Sequence, residues 1–170
     1  MQNRQFKDPQ GRREKGSIVV ELALAMPLFL LIIAGTLDLG MLFYEKHIIT
    51  NASREGARAA VKAVDNGTNV TAQLTQSQIR QIVQDYVTHF SLKALDGSPL
   101  VLNSNTFSYN WTTTPSGTVL TVTLNQIPYK MMLMPNVQTL FGGTRIEGDE
   151  AFYLSAQTSM AAEWNTPPSP

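Results

Sequence analysis

From Ser17 to Tyr44 the chain runs for 28 residues in which Glu21 and Asp38 are the only charged side chains. Coiled as a helix at about 1.5 Å per residue, that run is about 42 Å long, more than the roughly 30 Å of a bilayer's hydrocarbon core. Such a stretch predicts a single membrane-spanning helix. Pro27 does not argue against it, because membrane helices absorb a proline as a kink. Basic residues crowd only the N-terminal flank: residues 1–16 hold Arg4, Lys7, Arg12, Arg13 and Lys15 against Asp8 and Glu14, a net charge of +3. By the positive-inside rule the N-terminus is cytoplasmic and everything past about residue 45 lies outside. The competing reading is a cleaved secretory signal. Against it, the apolar run exceeds the usual 7–15 or so residues, and the one faint cleavage-like tripeptide, Ala34-Gly35-Thr36, lies inside the run.

The rest of the composition removes whole classes of function. With 13 basic and 13 acidic residues the 170-residue chain is neutral overall, so no global field favours nucleic acid. No cysteine is present, which excludes disulfides, thiolate metal sites and a cysteine nucleophile. The two histidines, His47 and His89, have no nearby His or Cys partner, and no nucleotide, phosphate-loop or hydrolase motif occurs. The expectation is a protein without enzymatic activity, metal or cofactor.

Glu21 demands a reason. A carboxylate deep in a bilayer costs roughly 2.5–3.5 kcal/mol on insertion scales, so such residues are functional by default unless they snorkel to the headgroups. Its surroundings supply a candidate reason: Lys15-Gly16, then Ser17, three apolar residues, Glu21 and an apolar helix. This pattern resembles the processing site of type IV prepilin-like proteins, in which a membrane-embedded peptidase cuts after the glycine. The resemblance implies cleavage between Gly16 and Ser17, with Arg12, Arg13 and Lys15 as leader basic residues and Glu21 as the fifth mature residue. The freed α-amine has a reference pKa of roughly 7.7–8.0. A carboxylate within about 4 Å of it gains up to about 4 kcal/mol at an effective dielectric near 20, against the desolvation of both ions. In pilin assemblies the resemblance places that amine on the neighbouring subunit. Ser17 and Glu21 are also one turn apart on one helix, so the pair can form within a chain.

A second stretch, Asn51 to Val61, narrows the resemblance. Gly16 to Pro27, the acid-glycine motif Asp38-Leu39-Gly40 and the block Ala52, Arg54, Glu55, Gly56, Arg58 together resemble the TadE-like family. Those are pseudopilins or minor pilins of the tight-adherence system that makes Flp-type adhesion pili. The implied partners are the membrane, a prepilin peptidase, other pilin or pseudopilin subunits and secretion platform proteins, with no nucleic acid. The implied location is the bacterial inner membrane, single-pass, with entry into the pilus after processing. The alternative is a single-pass scaffold or binding protein of the secretion system that never enters the pilus. Residues Ile48, Ala52, Gly56, Ala59 and Ala60 form a small, apolar helical stripe, which fits packing on the chain's own domain or on another subunit.

Beyond a turn signal at Asp65-Asn66-Gly67, the spacing of Ile79, Ile82, Val83, Tyr86, Val87 and Phe90 predicts an amphipathic helix, with Thr75 or Ser77 as N-cap. The period then changes to two. Phe107, Tyr109 and Trp111 alternate with polar residues, Thr-Pro-Ser-Gly at 114–117 turns, and Leu120, Val122 and Leu124 alternate again, which is a hairpin. A last strand carries Phe152, Leu154, Ala156, Thr158 and Met160 on one face. The expected fold class is α+β: a long N-terminal helix followed by a small antiparallel sheet packed on helices, the layout the pilin resemblance also implies. The expected divisions are a basic leader at 1–16, a long helix at 17–62, an extracytoplasmic domain at 63–164 and a disordered tail at 165–170. The second strand is expected to end near Asn125, and between it and the last strand Ile127 to Pro135, with the apolar run Met131-Met132-Leu133-Met134, is either a partner-binding surface or a plug for the core, followed by Phe141-Gly142-Gly143.

Overall fold

A computed structural model of the chain describes residues 10–133 and 151–169. Helix α1 is a single element, Gln10–Ala60. It is the one helix, among the described residues, long and apolar enough to cross a membrane. Its apolar half offers its side chains outward nearly all round, with Ile18 64%, Leu24 75% and Phe29 59% exposed. In water that would be a large unpartnered apolar surface; in hydrocarbon it is ordinary. Pro27 sits inside the helix. Thr36 hides its hydroxyl by donating to the Ile32 carbonyl at 2.8 Å, one turn back.

The distal part of the same helix is buried. Ile49, Ala52 and Ala57 are fully inaccessible, in one core with Ile79, Val83 and Val87 of helix α2, Gln76–His89. Helix α2 begins as the 3.6-residue period predicts. Thr75 is the N-cap of a capping box: its hydroxyl accepts from the Gln78 N–H while the Gln78 side chain accepts from the Thr75 N–H. The helix ends with Ser91 at φ 55° and the Leu92 N–H donating to the Val87 carbonyl at 3.2 Å. That six-to-one bond satisfies a terminal carbonyl.

The sheet beneath the helices has three antiparallel strands, which follow a small hairpin of β1 (Ala63–Asp65) and β2 (Val70–Ala72): β3 (Phe107–Thr114), β4 (Gly117–Lys130) and β5 (Ala151–Ala161), in the order β3-β4-β5. Phe107, Tyr109 and Trp111 stand opposite Leu124, Val122 and Leu120, so the alternation read from sequence is the register observed. The whole is the α+β layout expected: a long apolar helix, then small antiparallel sheets.

Three local features differ from the expectation, each for a physical reason. The expected turn at Asp65-Asn66-Gly67 is present, with Gly67 at φ 79° and its N–H on the Asp65 carboxylate at 2.7 Å, but α1 has already ended at Ala60 and the turn is the tip of the β1–β2 hairpin. Strand β4 does not end near Asn125. Gln126, at φ 52°, forms a bulge that shifts the register, so that Ile127 and Tyr129 return to the buried face. Pro128 is tolerated there because β3 begins opposite Leu124, so that among the described residues this edge of β4 carries no ladder. Finally, residues 165–169 do not run free: the Asn165 and Thr166 N–H groups both donate to the Val70 carbonyl, and the Ser169 carbonyl accepts from the Gln76 N–H. Met134 and Phe141-Gly142-Gly143 lie outside the described residues.

Candidate functional site

The candidate processing bond, Gly16 to Ser17, lies within the helical backbone of α1, and Arg12, Arg13 and Lys15 occupy the turns before it. Glu21 follows Ser17 by about 6 Å of helix rise, on the same side of the helix. Its side chain is exposed on the apolar half of α1. The carboxylate therefore faces outward toward whatever surrounds the helix.

The block at 52–58 divides by face. Ala52 and Gly56 point into the core, whereas Arg54, Glu55 and Arg58 are exposed. Gly56 is there for proximity: a β-carbon added to it would stand 2.5 Å from Val83 Cγ2 and 3.6 Å from Val122 Cγ1. Only glycine lets α1 approach α2 and the sheet this closely. Next to it, the Ser53 hydroxyl donates to the Thr50 carbonyl at 2.8 Å, and the Thr158 hydroxyl of β5 lies 2.7 Å from Ser53 Oγ. Helix and sheet are thereby joined by satisfied hydroxyls in an otherwise apolar contact.

Asp38 behaves quite unlike Glu21. It is 2% exposed, and its carboxylate accepts from the Met132 N–H at 3.1 Å and from the Leu133 N–H at 3.2 and 3.1 Å. Ala34, one turn before it, is also buried, while Leu37 and Leu39 on either side are exposed. Asp38 is therefore a satisfied acceptor for a backbone segment distant in sequence.

The α1 residues of these sites, from Gly16 to Arg58, fall in one stretch that matches a known family. Residues 16–58 match the family model of the TadE-like protein. The TadE-like stretch holds the Gly16-Ser17 bond, Glu21, Asp38 and the whole 52–58 block. Those 43 residues are about a quarter of the 170-residue chain. No curated protein and no solved structure matches the chain.

Outside the TadE-like stretch, two residues that periodicity did not single out tie the domain together. Trp164 is buried, and its indole N–H donates to the Ala60 carbonyl at 2.8 Å, sealing the last turn of α1. Gln84 grips residues 100–102 from both sides, donating to the Leu100 carbonyl at 2.8 Å and accepting from the Leu102 N–H at 2.7 Å. A Trp after the last strand and a Gln on the half-buried flank of α2 were the available signals. Among the described residues no group of three His, Asp or Glu is placed to hold a metal ion.

Proposed function

We propose that the chain is the precursor of a minor pilin or pseudopilin of a Flp-type adhesion pilus. A prepilin peptidase cleaves it between Gly16 and Ser17, and the mature protein is required for assembly or initiation. The α1 span holds it in the inner membrane with the N-terminus cytoplasmic, and residues beyond the span form an extracytoplasmic domain. One observation carries this reading: an exposed carboxylate, Glu21, stands one helical turn beyond the candidate cleavage bond, on a helix whose apolar half has no other charge before Asp38. Cleavage creates an ammonium one helical turn from the carboxylate, and a close pair of opposite charges lowers the cost of placing both at the membrane. Arg54, Glu55 and Arg58, exposed on the distal part of α1, are available to secretion platform proteins or neighbouring subunits.

The test is the intact mass of the protein from membranes of its native host, with and without the peptidase. The expected mature chain begins at Ser17; a chain retaining residues 1–16 in the presence of the peptidase removes the precursor reading. Glu21→Leu is expected to insert normally and be cleaved, yet to abolish or sharply reduce piliation. Normal piliation in that variant would take the assembly role from Glu21. Sheared pili containing the protein identify a pilus component, and its retention in the membrane alone identifies a scaffold.

A further inference from the structure

The proposed processing makes no use of Asp38 or of the segment it holds. Ser17 to Asp38 is about 32 Å of helix, close to the roughly 30 Å thickness of the hydrocarbon core. With the N-terminal end of the span at one face of the bilayer, Asp38 therefore stands where the helix emerges at the other. Hydrogen-bonded to it, and so at the same depth, are Met132 and Leu133, which turn their side chains outward: Met132 is 68% exposed and Leu133 38%. On the helix itself Leu37, Leu39, Met41 and Phe43 are exposed around this level. The chain enters the segment from β4 through Lys130, which is exposed, and Met131, which packs against the domain core.

From this placement we infer that Met132 and Leu133 form a second membrane contact, inserted into the outer acyl–headgroup boundary beside the α1 span, with Asp38 as the residue that positions it. Irregular backbone is excluded from lipid because its N–H groups have no acceptor there. Asp38 supplies the acceptor for two such groups, Met132 N–H and Leu133 N–H, and is itself kept from solvent. This gives a physical reason for an acid at the far end of an apolar helix: it accepts hydrogen bonds from backbone amides that lipid cannot satisfy. The occupant of the exposed surface is lipid because the surface is continuous with the exposed apolar sides of the span. Lys130 at its border suits headgroup phosphates, which a lysine reaches with its stem on apolar surface.

The inference rests on the membrane-spanning reading of α1, and the experiment separates the two. The chain has no cysteine, so single-cysteine variants of the full-length protein carry one nitrobenzoxadiazole label each: Leu30→Cys in the span, Met132→Cys and Leu133→Cys in the loop, Asn110→Cys on the exposed face of β3. Each is reconstituted at low density in phosphatidylcholine vesicles containing lipid-linked nitroxides, placed either near the headgroup or deep in the acyl chain. Insertion to about 5–10 Å predicts that the labels at 132 and 133 lose emission about twofold more than the label at 110, and most strongly with the shallow nitroxide. The label at 30 is quenched by the deep one. Asp38→Leu should return the label at 132 to the behaviour of the label at 110 while the label at 30 is unchanged. If position 30 is quenched and position 132 is not, the loop contact is wrong and the span stands. If position 30 is not quenched either, the span itself fails and the inference with it. A blue-shifted label at 132 that resists lipid quenching and turns red on dilution of the protein overturns the lipid assignment in favour of a second copy.

Discussion

The two ends of α1 are built from similar residues and treated in opposite ways. Between Ile18 and Phe43 almost every large apolar side chain is exposed, whereas Ile48, Ile49, Ala52, Ala57 and Ala60 on the distal turns are buried. The difference lies in what surrounds each half. Around the distal turns, α2 and the sheet are close enough that Gly56 has no room for a β-carbon. A helix that is apolar all round needs lipid, and one with an apolar stripe needs a protein partner. Reading α1 as one uniform amphipathic element would miss both.

The sharpest way to break this contrast is to remove the same kind of side chain from each half. In full-length protein in detergent, Ile49→Ala is expected to lower the stability of the domain by about 2–5 kcal/mol, and Leu24→Ala to leave it unchanged, read by the unfolding of Trp111 and Trp164 fluorescence. Equal effects would dissolve the distinction. Next in size, Gly56→Val should cost about 1–3 kcal/mol by overpacking against Val83, and Val83→Ala added to it should restore part of the loss. If Gly56→Val is neutral, the close approach of the two helices is not what the glycine serves. Thr75→Ala removes the N-cap of α2 and should cost about 1 kcal/mol in the same assay, without altering insertion of the span.

The smallest effect concerns Tyr109. Its hydroxyl is buried with no hydrogen-bond partner among the described residues, and burial pushes its phenol above the ordinary range. At neutral pH Tyr109→Phe should leave stability unchanged within about 0.5 kcal/mol or raise it, because an unsatisfied group is removed. The sign at high pH follows from linkage. The folded state holds the proton more tightly than the unfolded one, so the contribution is fully present below the unfolded phenol's pKa of about 10 and is lost as pH rises through the folded value. Alkaline melting curves of the wild type should therefore fall more steeply above about pH 10 than those of Tyr109→Phe, and parallel curves would show that the hydroxyl is solvated.

Much of the domain was legible because local periodicity and burial agreed. Ile79, Val83 and Val87 face inward at helical spacing, and Leu120, Val122 and Leu124 do so at strand spacing. Legibility failed where one backbone dihedral changed the pattern: Gln126 at positive φ extends β4 and returns Ile127 to the core, and nothing in a glutamine announces a left-handed residue. It failed again at the chain's end, where the polar, proline-rich residues 165–169 resemble a free tail. They are held instead by backbone bonds to Val70 and Gln76, which composition does not encode.

A 28-residue run with two acids already implies a span, since its length and hydropathy outweigh the cost of a charge near each end. The place of Glu21 beside Gly16-Ser17 is likewise a matter of spacing along one helix. Asp38 is different in kind: its hydrogen-bond partner Met132 lies 94 positions away. Only the folded chain could bring those amides to that carboxylate, because a contact between segments so distant depends on how β4 ends and where its loop returns, and side-chain periodicity carries no record of either.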